Sequence, residues 1–116
     1  MNKEQTRRLA PFLHRKSARQ RVILYLLAGG YAVGQLVAMR VSALRTLKLP
    51  IEMQVCRDEM LEGRSSGRAF LYPNGTPLPH TAYYRIVRGA AEKVLGRPMS
   101  QELFRAYIQS GKRVNA

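Results

Sequence analysis

The sequence predicts a mainly α, compact bundle of about five helices, with at most a two-stranded remnant of sheet. Three observations carry this. Apolar residues recur at three- and four-residue spacing in successive segments. Gly or Pro punctuates the ends of those segments. At 116 residues, 46% of them hydrophobic, the chain suffices for one modest core and one domain.

Residues 1–21 read as a basic N-terminal arm, and 22–116 as a single helical domain. The arm carries Lys3, Arg7, Arg8, Arg15, Lys16, Arg19 and Arg21 against Glu4 alone. Thr6–Leu13 suits a short helix broken by Pro11. Two readings stay open for this stretch: a frayed, solvated terminus, or an arm that contacts phosphates. Arg19–Ala28 reads as the first helix of the domain, with Val22, Ile23, Leu26 and Leu27 on its apolar side, and Gly29-Gly30 ends it. No Gly-Lys-Ser/Thr follows these glycines, so they mark a helix end rather than a phosphate loop.

Val33–Leu47 reads as a second helix, with Leu36, Val37, Met39 and Leu44 as core candidates. Pro50 opens a third, Ile51–Glu62, where a missing N–H costs nothing in the first turn. That helix holds Glu52, Asp58, Glu59 and Glu62, which makes it the surface least suited to a polyanion. Gly63–Gly67 is a loop, Ala69–Tyr72 a short extended piece, and Pro73-Asn74-Gly75 a turn.

Thr81–Leu95 is the clearest helix. Ala82, Tyr83, Ile86, Val87, Ala90 and Val94 share one side; Thr81, Tyr84, Arg85, Arg88 and Glu92 share the other. Gly96 ends it. Gln101–Ser110 is the last helix, with Leu103, Phe104, Tyr107 and Ile108 as buried candidates, Gly111 as its cap, and a basic tail, Lys112-Arg113, beyond.

Charge points to function. Lys and Arg number 20 against 7 Asp and Glu, a formal net charge of +13. Such a balance repels itself in a compact chain and favours a polyanionic partner, with nucleic acid ahead of a membrane surface. Cys56 is alone, so no disulfide framework or cysteine-based metal site is expected, and a reducing cytoplasm fits. His14 and His80 stand in no metal-ligand pattern, so no cofactor or metal is expected. No N-terminal signal pattern is present, and the longest apolar run, Val22–Leu27, is far short of the ~20 residues of a membrane span.

The order and distances of several segments resemble the catalytic domain of the tyrosine recombinase (phage integrase) family over roughly residues 20–111. Gly30–Arg40 is similar to its Gly-Leu-Arg-x-Ser-Glu-Leu-x-x-Leu-Arg box, and Ile51–Leu61 to the helix after its Val-Pro-Leu strand. Phe70–Leu78 resembles Leu-Phe-x-x-x-Gly-x-Pro-Leu. Arg97–Gly111 aligns without a gap to His-x-Leu-Arg-His-Thr-Phe-Ala-Thr-His-Leu-Leu-x-x-Gly. The resemblance implies the recombinase fold without most of its small β-sheet.

It also implies an absent chemistry. The family cleaves DNA with a tyrosine, while two arginines stabilise charge developing on the phosphoryl oxygens and His and Lys transfer protons. Ala32 stands at the first arginine and Ser100 at the second. Arg97 replaces the preceding histidine; it suits a phosphate but is a poor general base. Gln101 replaces the following histidine. The lysine-bearing strands have no counterpart between Leu44 and Pro50, and the nucleophile's segment none before Gly111. Losing one charge-stabilising donor costs about 10²–10³ in rate, so no enzyme is expected.

What the resemblance leaves is DNA binding, because the family's helix after the Gly-x-Pro-Leu segment enters the major groove. Here that helix is Thr81–Leu95, with Arg85 and Arg88 for guanine or phosphate, Thr81 and Tyr84 for smaller contacts, and His80 with Thr81 to cradle a phosphate at its start. The plainer reading is a solvated helix face; the net charge and the position favour the first. Arg45, Lys48, Arg97, Arg15, Lys16 and Arg19 are the further candidates for backbone contact, and Tyr83 is read as core. The expectation is a non-catalytic, nucleoid-associated cytoplasmic protein that binds double-stranded DNA, as a transcription regulator or accessory factor of a mobile genetic element. A homodimer or a second regulator would supply specificity. The alternative is a protein-interaction module that partners or inhibits another regulator or recombinase; it requires exposed apolar surface around Leu103, Tyr107 and Ile108.

Overall fold

A computed structural model describes residues 1–111; the Lys112-Arg113 tail lies outside the described residues. Seven helices follow one another among them: α1 (Lys3–Leu13), α2 (Ala18–Ala28), α3 (Val33–Ala38), α4 (Val41–Thr46), α5 (Ile51–Leu61), α6 (His80–Leu95) and α7 (Gln101–Ser110). No strand forms among the described residues; the extended piece survives as isolated bridges, Arg40 to Arg68 and Leu71 to Pro77. The chain is therefore mainly helical, as expected, with two more helices than expected.

One of the two extra helices has a local cause and the other a tertiary one. α1 occupies the segment read as an arm. Asn2 caps it, accepting from the Gln5 N–H at 2.8 Å while Gln5 Oε1 accepts from the Asn2 N–H at 2.9 Å. Pro11 falls in its last turn and the helix still reaches Leu13. Leu9 and Phe12, three residues apart, are buried against α6 and α7. Residues 1–21 are thus not a separate arm, because their apolar side belongs to the core.

The other addition comes from a break in the expected Val33–Leu47 helix. Met39 and Arg40 are extended. Their backbone pairs with the 67–69 loop instead: Ala69 N–H donates to the Met39 carbonyl and Val41 N–H to the Gly67 carbonyl, both at 2.9 Å. These tertiary bonds stand in for helical ones at the break.

α2 is the hub. Ser17 caps it, and Val22, Ile23, Leu24, Leu26, Leu27 and Ala28 are all buried, as in a helix surrounded by neighbours. α5 lies along α2, while α1, α6 and α7 also pack on it and on one another. Phe12 meets Phe104 edge-on at 5.1 Å and Tyr107 at 5.9 Å. Leu103, expected inside, is 43% exposed, because it lies across α7 from Phe104 and Ile108.

Tyr83 is fully buried, edge-on to Phe70 at 6.2 Å, and its hydroxyl finds no hydrogen-bond partner among the described residues. Burial pushes the phenol up to about 12, against a smaller opposing pull from the Arg19 guanidinium. A folded-state pKa above the unfolded value near 10 means that this stability is complete below pH 10 and is lost as pH rises toward 12. Tyr83→Phe should therefore raise stability by about 1 kcal/mol at pH 7. It should also flatten the alkaline loss in urea titrations between those limits. A variant less stable than wild type would mean that the hydroxyl is satisfied.

Candidate nucleic-acid interface

α6 begins at His80 after Pro79 and stops at Gly96, whose φ of +74° suits glycine at a helix end. Ala82, Tyr83, Val87, Ala90 and Ala91 are buried. The opposite side is the candidate face: Thr81, Tyr84, Arg85 and Arg88 are exposed at positions i, i+3, i+4 and i+7 of one stripe. Tyr84 is 49% exposed and Arg88 pairs loosely with Glu92 at 3.6 Å across one turn. His80 is also exposed, but its ring lies beside Gly34 of α3.

Two loops flank this stripe. On one side, Tyr84 and Arg88 share a shallow depression of about 330 Å³ with Pro98, Met99, Ser100, Gln101 and Glu102, and Arg97 is exposed at the start of that loop. On the other, the α1–α2 corner brings Lys16 to Lys93 of α6. Burial chiefly, and then the Lys93 charge, hold the Lys16 ammonium below its ordinary pKa. Arg15, at the tip of that corner, is exposed with φ of +60°.

The remaining candidates lie elsewhere. Arg19 donates to the Leu71 carbonyl at 2.7 Å and sits 6.0 Å over the Tyr72 ring. Arg45 donates to the Arg64 carbonyl at 2.6 Å, on an α4 that packs on α5. Lys48 lines a separate groove of about 630 Å³ with Met1, Tyr25, Tyr31 and Gln109. The structure therefore keeps Thr81, Tyr84, Arg85 and Arg88 on one exposed stripe, with the 98–102 loop beside Tyr84 and Arg88, while Arg19 and Arg45 hold backbone carbonyls and Lys48 lines a separate groove. Sequence reasoning missed Lys93, whose place opposite Lys16 depends on how α1 meets α6.

It also missed what many arginines do. Arg8 donates to the Ile108 carbonyl at 2.7 Å and the Gln109 carbonyl at 3.2 Å, closing the end of α7. Arg64 binds the carbonyls of Arg68 and Ala69, both at 2.9 Å, Arg68 that of Val37 at 3.2 Å, and Arg105 that of Gly30 at 3.2 Å. A guanidinium offers five donors and no acceptor, so it suits carbonyls that helix ends leave unpaired. Part of the excess positive charge thus holds the fold. Arg8→Ala should cost about 1–3 kcal/mol in denaturant unfolding, whereas Arg7→Ala, exposed and paired only with Glu4 at 3.4 Å, should stay within about 0.5 kcal/mol. Equal effects would mean that the carbonyl contacts contribute nothing.

The positions that the recombinase resemblance assigns to phosphoryl chemistry are occupied by structural contacts. Ser100 caps α7, accepting from the Leu103 N–H at 3.2 Å. Gln101 is buried and donates to the Tyr31 carbonyl at 3.2 Å. The Ala32 N–H donates to Gln35 Oε1 at 2.7 Å. Among the described residues, no cluster of His, Cys, Asp and Glu could hold a metal, and no helix is long and apolar enough to cross a membrane.

Fold and face together define a small, basic, mainly helical protein that presents one helix with a cationic stripe. No family model, curated protein or solved structure matches the chain.

Proposed function

We propose that this is a non-catalytic DNA-binding protein derived from a recombinase-like fold, which lays α6 into the major groove and acts as a transcription regulator or accessory factor of a mobile genetic element. The observation that carries this is the exposed Thr81–Tyr84–Arg85–Arg88 stripe, flanked by Lys16 and Lys93, in a chain of net charge +13. Arg85 and Arg88 have the donor geometry for guanine edges or phosphates, and Tyr84 and Thr81 supply smaller contacts. The Arg15–Lys16 corner reaches a phosphate beside the groove.

A mobility shift with a duplex from the protein's own upstream region tests the proposal. With about four phosphate contacts, affinity should fall about 100-fold between ~50 and ~200 mM salt. No retention at the lower salt would end the proposal. Nicked or covalently trapped DNA would end its non-catalytic part.

A further inference from the structure

Helix α5 keeps an apolar strip in water. Ile51 is 72% exposed and Val55, one turn on, 60%, while Met53, Cys56 and Leu61 of the same helix are buried. Glu52, Asp58 and Glu59 are exposed on α5, and Glu62 is exposed at its cap, so this helix holds four of the seven acids of the chain. Asp58 meets Arg57 at 3.1 Å. Glu52, Glu59 and Glu62 form no ion pair among the described residues, in a chain with 20 Lys and Arg. Cations are plentiful, yet these carboxylates stay unpaired beside exposed β-branched residues.

The complementary surface is on the same molecule. The outward side of α6 combines Tyr84 and Leu95, 49% and 39% exposed, with Arg85 and Arg88. Both faces are partly apolar, and their charge balances are opposite: acids predominate on α5, and Arg85 and Arg88 outweigh the one acid, Glu92, on α6. α5 and α6 each pack on α2. We propose that α5 of one copy docks on α6 of a second copy, with Ile51 and Val55 against the Tyr84 ring and the α5 carboxylates toward Arg85 and Arg88.

Charge sets both the direction and the strength of this contact. Two copies of a strongly basic chain repel in most orientations, and only the α5 face attracts the basic side of a neighbour. The contact involves one face of each helix, less than a standard interface of ~800 Å² per partner, so association is weak and a wide concentration range is needed to read it. The contact is head-to-tail, since different surfaces meet. It covers α6, so a second copy and DNA compete for one helix; that consequence alone rests on the function proposed above.

Sedimentation of the full chain from about 10 to about 500 μM tests it. The wild type should show a mass that climbs with concentration. Ile51→Lys with Val55→Lys should remain monomeric, and so should Arg85→Glu with Arg88→Glu, each with an unchanged helical melt because all four positions are exposed. The first double variant keeps an intact α6 and the second an intact α5, so mixing them should restore a 1:1 complex. A monomeric wild type, persistent association of either variant, or a mixture that stays monomeric would each overturn the inference. A chain that associates in this way but is not retained by duplex DNA keeps this interface and loses the nucleic-acid reading; the reverse result separates the two equally.

Discussion

Phe12→Ala should lower the melting temperature by about 15–25 °C, the largest stability effect expected in this protein. Phe12 is fully enclosed and meets two rings of α7, Phe104 at 5.1 Å and Tyr107 at 5.9 Å. Truncating such a side chain costs about 3–5 kcal/mol. A domain of this length has only about 5–15 kcal/mol in total. Deleting residues 1–16 should go further and abolish cooperative unfolding, since it also strips Phe104 of its cover and the end of α7 of Arg8. The measurement is a circular-dichroism melt. A shift below about 5 °C would restore the picture of a dispensable basic arm.

That contrast shows why the packing of α1 was illegible, although a short helix over Thr6–Leu13 was expected. Seven cations among the first 21 residues dominate any count of charge. Leu9, Phe12 and Leu13 make only a short apolar pattern at helical spacing, and their burial depends on α6 and α7 arriving from more than sixty residues away. α5, α6 and α7 were legible because Pro50, Gly96 and Gly111 mark their ends with local chemistry. The break at Met39–Arg40 carries no Gly or Pro; its cause is backbone pairing with residues 67–69, which lies outside any local window.

The candidate face divides along the same line. The stripe on α6 follows from periodicity within one helix, so Thr81, Tyr84, Arg85 and Arg88 were placed together by sequence alone. Whether a distant arginine meets solvent or a carbonyl is a tertiary question. Arg19 and Arg45 looked like free cations and instead hold the carbonyls of Leu71 and Arg64. Net charge therefore overstated how much of the basic surface is free for a polyanion, and it did so most where helix ends needed donors.

Arg85→Ala with Arg88→Ala should weaken duplex binding by about 30- to 1,000-fold, given about 1–2 kcal/mol for each guanidinium contact. The fold should be unaffected: both residues are exposed, and the Arg88–Glu92 pair at 3.6 Å is a surface contact. The accompanying change in salt dependence discriminates between the two modes of contact. Phosphate contacts predict a salt slope reduced by about two, with all sequences weakened alike; base contacts predict a nearly unchanged slope and lost discrimination. Lys3→Ala with Lys48→Ala removes the same two charges from exposed positions outside the α6 face. If binding depends on position, that control should stay within about threefold of wild type, and Glu92→Gln, which releases Arg88 and removes an anion, should tighten binding a few-fold. Equal losses in the two double variants would mean that bulk charge alone holds the nucleic acid and that α6 reads nothing.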